Sequence, residues 1–213
     1  MGALFPAVYV ILDPEFAPSP LRVLAEALAN AGITLMQLRD KRSSARRIYD
    51  QARDLAALLG PRGVRFIVND RADIAAMSGA GGVHVGQADV HVEDARRLCR
   101  PPQWVGVSTH NLEQLRAADR TSADYIAIGP IFPTSTKENP DPVVGVDFVR
   151  VARRMTRKPL VAIGGITIAS AVDVFGAGAD SVAVIQDLIV ASDPAARARE
   201  YMATAERTRN SRP

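Results

Sequence analysis

Eight short apolar runs, rich in β-branched residues, recur at intervals of a few tens of residues along this chain. They are Ala7–Leu12, Ile33–Leu38, Val64–Val68, Gly82–Val85, Trp104–Val107, Tyr125–Ile128, Leu160–Ile163 and Ser181–Ile185. A run without polar alternation does not suit a half-solvated sheet, where every second side chain would face water. It suits a parallel strand covered on both faces. Between the runs lie Ala-, Leu- and Arg-rich segments with helical spacing, clearest over Leu21–Asn30 and Ala45–Leu59. In the second, Ile48, Ala52, Leu55 and Leu59 fall on one stripe. Pairs such as Ala31-Gly32, Leu59-Gly60 and Ala177-Gly178 close helices before the next run. This alternation over 213 residues predicts a single α/β domain, a (β/α)8 TIM barrel over residues 1–213 with a polar C-terminal tail at 201–213. The count of eight weighs against an open doubly wound sheet, as does the lack of G-x-G-x-x-G after the first run.

Composition narrows the function classes. With 47% hydrophobic residues the chain can build a core without a staple. Cys99 is the only cysteine, which excludes an intramolecular disulfide and a Cys-based zinc site and fits a cytoplasmic protein. No basic n-region precedes Ala7–Leu12, a run that ends at Asp13 and is too short to span a membrane. Pro6 stands where a myristoyl signal would carry Ser or Thr. The net charge of +3 is modest, and aromatics make up only 5% of the chain. The arginine pairs at 46–47, 96–97 and 153–154 read as solvated helix faces without interleaved aromatics, so no nucleic-acid partner is expected. The composition is compatible with a homo-oligomer. The chain has only three lysines, Lys41, Lys137 and Lys158. In so Arg-rich a background a retained lysine is a candidate for a specific task, because a compact ammonium and a planar guanidinium are not interchangeable.

In a barrel, chemistry gathers where strands end. The second run ends in Gln37-Leu38-Arg39-Asp40-Lys41, where alternation points an amide and two cations the same way. The third ends in Asn69-Asp70-Arg71, the fourth in Gly86-Gln87-Ala88-Asp89, the fifth in Ser108-Thr109-His110 and the eighth at Gln186. Arg39, Lys41 and Lys137 suit a polyanion. Asp70 and Asp89, on adjacent strands, suit one hard divalent cation such as Mg²⁺, which takes few carboxylates and fills its shell with water and substrate phosphates. Gly164-Gly165 stands where barrels bind phosphate on backbone N–H groups. Thr134, Ser135 and Thr136 can add hydroxyl donors. Plainer roles compete: Asp70 as the N-cap of a helix starting at Arg71, Asp89 as a turn residue, His84 and His91 as core or capping residues, Cys99 as packing. Ser108 and His110 lack an orienting acid, which argues against a hydrolase triad. The loop Gly129–Gly145, with four prolines and Lys137 near its middle, reads as a lid reaching an anion.

Several stretches, in order, carry a family resemblance: Val8–Pro14, Gln37–Lys41, Ile67–Arg71, Gly82–Gln87, Gly106–His110, Gly129–Lys137 and Ala162–Ile166. Together they resemble the thiamine-phosphate synthase (thiamin phosphate pyrophosphorylase) family across nearly the whole chain. The resemblance implies small-molecule substrates. An aminopyrimidine bearing a hydroxymethyl diphosphate is joined to a phosphorylated hydroxyethyl-methylthiazole or its carboxylate. Thiamine phosphate and pyrophosphate leave, by way of a pyrimidine carbocation. The family's pyrimidine diphosphate contacts fall on Gln37, Arg39, Lys41, Asn69, Ser108 and Lys137, with Arg39, Lys41, Lys137 and Ser108 in the catalytic set. Its Mg²⁺ ligands fall on Asp70 and Asp89, and its thiazole phosphate contacts on Thr134, Ser135, Thr136, Gly165, Ile185 and Gln186. Position 40 is Asp where the family often has Glu, and position 186 is Gln where it usually has Ser. The competing expectations are a thiazole tautomerase, a sister family that departs at the diphosphate and metal positions, and a non-catalytic barrel that binds a phosphorylated metabolite.

Overall fold

All eight apolar runs become parallel strands. The computed structural model describes residues 5–134 and 141–210. The strands are β1 (Val8–Leu12), β2 (Leu35–Leu38), β3 (Arg65–Asn69), β4 (Gly82–Val85), β5 (Trp104–Thr109), β6 (Tyr125–Ile128), β7 (Leu160–Ile163) and β8 (Ser181–Val184). They pair in chain order, and β8 returns to β1 through Val8↔Val182 and Val10↔Val184, closing the barrel. The helices are α1 (Leu21–Asn30), α2 (Ala45–Leu59), α3 (Ala72–Ser78), α4 (Val92–Leu98), α5 (Leu112–Asp119), α6 (Gly145–Met155), α7 (Ile168–Gly176), α8 (Gln186–Ile189) and α9 (Pro194–Asn210).

Strand alternation divides the core in two. On β1, Val8, Val10 and Leu12 face outward and pack with helix residues such as Leu24, Leu28 and Leu55. Tyr9 and Ile11 face inward and pack with Leu35, Ile67, Tyr125, Ala127, Val161 and Ala183. Both faces of the strands are therefore largely buried, under helices outside and within the barrel inside, the physical reason the runs show no polar alternation. The bottom of the barrel is filled by rings. Phe5 stacks on Trp104 with centroids 5.2 Å apart, Tyr125 packs 5.4 Å from Phe5, and the Arg65 guanidinium lies 4.0 Å from the Trp104 ring centre. Gly106 on β5 makes room for this floor, since a Cβ there would lie 2.0 Å from Cζ of Tyr125.

Two sequence expectations change. Residues 201–210, expected as part of a polar tail, continue α9, where Tyr201 and Ala205 are buried against the barrel's outer layer. The charged residues of that stretch stay outside the buried side, which Tyr201, Thr204 and Ala205 supply, and so few anchors escape a composition-based reading. The arginine pairs are not all solvated faces. Arg96 bonds the carbonyls of Cys99, Gln103 and Ser122 and pairs with Asp124. Arg153 pairs with Asp180 at 2.6 Å and bonds the carbonyls of Thr156 and Lys158. Each ties loops at the N-terminal end of the barrel, a task the five-donor guanidinium fork performs well. Lys158 joins that set, donating to the carbonyls of Thr121 and Ala123. Among the described residues, no helix is long and apolar enough to cross a membrane.

Candidate active site

A cavity of about 610 Å³ opens where the strands end, at the barrel's C-terminal mouth. Gln37, Arg39, Lys41, Asn69, Asp70, Asp89, Ser108, Thr134, Gly165, Ile185 and Gln186 all line it. The expected site residues Ser135, Thr136 and Lys137 lie outside the described residues.

The cationic wall follows β2. The Arg39 amide donates to the Leu12 carbonyl at 2.9 Å, which holds the chain extended past the strand and keeps Gln37, Arg39 and Lys41 on one side. The Arg39 guanidinium pairs with Asp13, a buried carboxylate at the end of β1. Lys41 Nζ pairs with Asp70. Both cations are thus aimed before any ligand arrives, which lowers the reorganisation needed to meet an anion.

Asp70 is not a helix cap; Arg71 holds that position for α3, without a side-chain bond. Asp70 instead has φ +61, the one non-glycine residue with positive φ among those described. Its amide donates to the His84 carbonyl at 2.7 Å, locking the turn after β3 against β4. Left-handed backbone carries a cost in a residue with a side chain, one that Asp bears better than most, and such residues cluster at functional positions. The turn points the carboxylate at Asp89, whose Oδ2 also accepts from the Gly86 amide at 2.7 Å. Burial raises the Asp70 pKa, and the adjacent Asp89 adds to the push against the opposing pull of Lys41. Two hard oxygen donors that disfavour each other's charge fit a divalent cation such as Mg²⁺. Among the described residues no cluster of three or more His, Cys, Asp or Glu forms a complete cage. The pair therefore suits an ion that takes its remaining ligands from substrate and water.

The opposite wall is built by β6, β7 and β8. Gly164 and Gly165 follow β7 with φ +101 and +62. A Cβ on Gly165 would lie 2.3 Å from the Pro133 carbonyl oxygen, so backbone from two loops meets there without intervening side chains. The Ile131 and Phe132 amides donate to the Ile163 and Gly164 carbonyls at 2.9 and 3.0 Å, which fixes the start of the proline-rich loop against β7. Beyond β8, α8 starts at Gln186, and the leading N–H groups of a helix have no intrahelical acceptor. Asp187, in the same turn, is held by Tyr201 Oη at 2.7 Å and Arg197 at 2.9 Å, so α9 braces this wall.

Several residues of the site escaped the sequence reading. Asp13 directly follows β1, and its one signal in the sequence is the need of Arg39 for a counter-charge. Tyr9 and Tyr125 sit within apolar runs and read as core, yet their hydroxyls form a polar floor with Gln37 and His84. His110, which the sequence offers at a strand end without an acidic partner, lines the cavity, bonds the Gly129 carbonyl through Nδ1 at 2.6 Å and places Nε2 3.4 Å from Asp141. Only the fold brings β5 and the far end of the β6–α6 loop together.

A (β/α)8 barrel that sets aimed cations and a carboxylate pair against a backbone-lined turn belongs to the class of barrels that process phosphorylated substrates at the C-terminal mouth. Comparison with known proteins narrows the class. The family model described as thiamine monophosphate synthase matches residues 8–188. A thiamine-phosphate synthase of Koribacter versatilis is 51% identical over 206 residues, covering 94% of this chain and 96% of that protein. One from Methanospirillum hungatei is 41% identical over 196 residues, covering 91% and 95%. The solved thiamine phosphate pyrophosphorylase of Pyrococcus furiosus superposes with a TM-score of 0.84 at 31% identity, covering 95% of this chain and 96% of that one. The chain belongs to the thiamine monophosphate synthase family.

Proposed function

We propose that this protein acts as a thiamine-phosphate synthase. It joins an aminopyrimidine carrying a hydroxymethyl diphosphate to a phosphorylated hydroxyethyl-methylthiazole, or its carboxylate, and releases pyrophosphate. The observation that carries the reading is the facing of two walls across one cavity: Gln37, Arg39, Lys41 and the Asp70–Asp89 pair on one side, the Gly164–Gly165 turn and the start of α8 on the other. One wall suits a diphosphate and the other a monophosphate, and the reaction needs both.

The chemistry asked of the chain is mainly electrostatic. When the pyrimidine C–O bond breaks, negative charge grows on the departing diphosphate. Arg39 and Lys41, with Lys137 from the loop, would meet that charge where it develops, which is worth more than binding substrate and transition state equally. Mg²⁺ held by Asp70 and Asp89 would supply further neutralisation of the leaving group. Asn69 offers both a donor and an acceptor to the aminopyrimidine edge, and Ser108 a hydroxyl to the diphosphate. Gly165, Thr134, Ser135, Thr136, Ile185 and Gln186 would hold the thiazole phosphate so that its ring nitrogen faces the cationic carbon. Gln186 in place of the family's usual Ser is accommodated if the backbone makes that contact. Exclusion of water protects the cation from capture. The soluble phosphorylated substrates and the single unpaired cysteine support a cytoplasmic location.

The test is pyrophosphate release measured with each substrate alone and with both, with and without Mg²⁺. Release that requires both substrates and the metal, with thiamine phosphate as product, is expected. Binding of the thiazole phosphate without pyrophosphate release would refute the reading and point to a tautomerase or a non-catalytic barrel.

A further inference from the structure

Beneath the cavity, side-chain hydrogen bonds run without a break across five strands. Gln37 Nε2 donates to the Tyr9 hydroxyl at 2.6 Å. The Tyr9 and Tyr125 hydroxyls lie 2.9 Å apart. Tyr125 Oη is 3.0 Å from His84 Nδ1, and His84 Nε2 is 2.8 Å from Ser108 Oγ. Gln37, Tyr9, His84 and Ser108 all reach the cavity wall, whereas Tyr125 is fully buried behind them.

Counting protons gives this relay a direction. The amide nitrogen can only donate, so the Tyr9 oxygen accepts and its own proton passes on to Tyr125. Tyr125 then gives its proton to His84 Nδ1. A neutral imidazole that accepts at Nδ1 carries its proton on Nε2. That N–H faces Ser108 Oγ, which therefore accepts and keeps its own proton for another partner. The reverse direction would bring two donors to the Tyr9 oxygen and leave the Tyr9 proton no acceptor among its two hydrogen-bonded neighbours, at the cost of an unmet donor in a buried side chain. Burial raises the pKa of both phenols, which keeps them protonated and able to donate.

We infer that Tyr125 is a positioning residue: through His84 it fixes Ser108 as a hydrogen-bond donor toward the cavity, the polarity needed to meet an anionic diphosphate oxygen. The inference rests on the reading of the Gln37–Ser108 side as the diphosphate side. A purely packing role for Tyr125 would give Ser108 no preferred polarity.

Tyr125→Phe removes only the hydroxyl and leaves the ring that fills the space over Gly106. The primary readout is the ¹⁵N shift pair of the His84 ring in the ligand-free protein, assigned by elimination with His91→Gln and His110→Gln. The wild type is expected to show the Nε2–H tautomer, and Tyr125→Phe a mixture with substantial Nδ1–H. Affinity for inorganic pyrophosphate with Mg²⁺, and kcat/KM for the pyrimidine diphosphate, are expected to fall about tenfold, the scale of one lost hydrogen bond. KM for the thiazole phosphate is expected to hold. Ser108→Ala should cost little more in the Tyr125→Phe background, because both changes remove the same donor. An Nδ1–H tautomer in the wild type would overturn the inference by itself, even if Tyr125→Phe did not fold. An unmoved tautomer in the variant, or additive losses, would also overturn it. A wild type with the Nε2–H tautomer and intact pyrophosphate binding, but no thiamine phosphate formed, would overturn the proposed reaction and leave the relay standing.

Discussion

Gly165→Ala tests the proposed phosphate wall most directly. At φ +62 a side-chain-bearing residue loses about 1–2 kcal/mol to backbone strain. The new Cβ would also lie 2.3 Å from the Pro133 carbonyl oxygen and 2.8 Å from Phe132 Cβ, and overlap of this depth in a packed region costs about 1–3 kcal/mol more. Gly63→Ala is the internal control. Its φ is +73, nothing lies within 4 Å of its Cβ position, and it sits far from the cavity, so it carries only the backbone cost. Urea unfolding of both variants should therefore separate them by about 1–3 kcal/mol, the steric part alone. In the folded fraction the overlap is relieved by moving the turn away from Pro133. If the turn holds substrate as proposed, a displacement near 1 Å there costs about 100-fold in turnover efficiency. Steady-state kinetics should place that loss on the thiazole phosphate, with KM for the pyrimidine diphosphate within about twofold of wild type, because binding lost at one wall is not lost at the other. Equal destabilisation of the two variants would refute the steric argument. Equal loss on both substrates would refute the division of the cavity into two walls.

Three further outcomes follow from the same geometry. Asp70→Asn should abolish Mg²⁺-dependent turnover yet raise the melting temperature in EDTA at neutral pH. The folded-state pKa of Asp70 lies above its unfolded value, so its ionisation works against folding, and the advantage of Asn should fade as pH falls through the raised pKa and be gone below the ordinary carboxylate range; calorimetry against pH reads this, and a lower melting temperature at pH 7 would contradict it. Lys137→Ala should reduce kcat by about 100-fold with a smaller change in KM, as expected for a charge that meets the leaving group in the transition state, and a pure KM effect would show a docking role. Tyr201→Phe should lose about 1 kcal/mol in urea unfolding through the missing bond to Asp187, and a loss within error would mean that α9 does not brace the α8 turn through this hydroxyl.

The fold was legible because both faces of every strand are buried, which imprints eight apolar runs on the sequence, and because α1 and α2 carry clean apolar stripes. The candidate site was legible where a polar residue directly ends a strand: Gln37, Asn69, Asp70 and Ser108 stand where the barrel opens. What stayed hidden depends on pairing across strands. Nothing local in the sequence ties Asp13 to Arg39, or Tyr201 to Asp187, since those partners lie on elements brought together only by barrel closure and by the docking of α9. Tyr9 and Tyr125 were hidden differently: each is mostly hydrocarbon, and an inward-facing phenol reads as core until its hydroxyl is seen to have a neighbour. Asp70 was ambiguous because the same Asp before a helix suits a cap, and only its left-handed backbone separates the two roles.

The ring-filled floor formed by Phe5, Trp104 and Tyr125 has a consequence for traffic. With the bottom of the barrel stoppered, two substrates must enter and two products leave through a single doorway. Whichever molecule arrives last stands in the path of whatever came before it, and pyrophosphate cannot drain away behind the newly made thiamine phosphate. The Gly106 vacancy that admits the Tyr125 ring thus helps to make the catalytic cycle a queue.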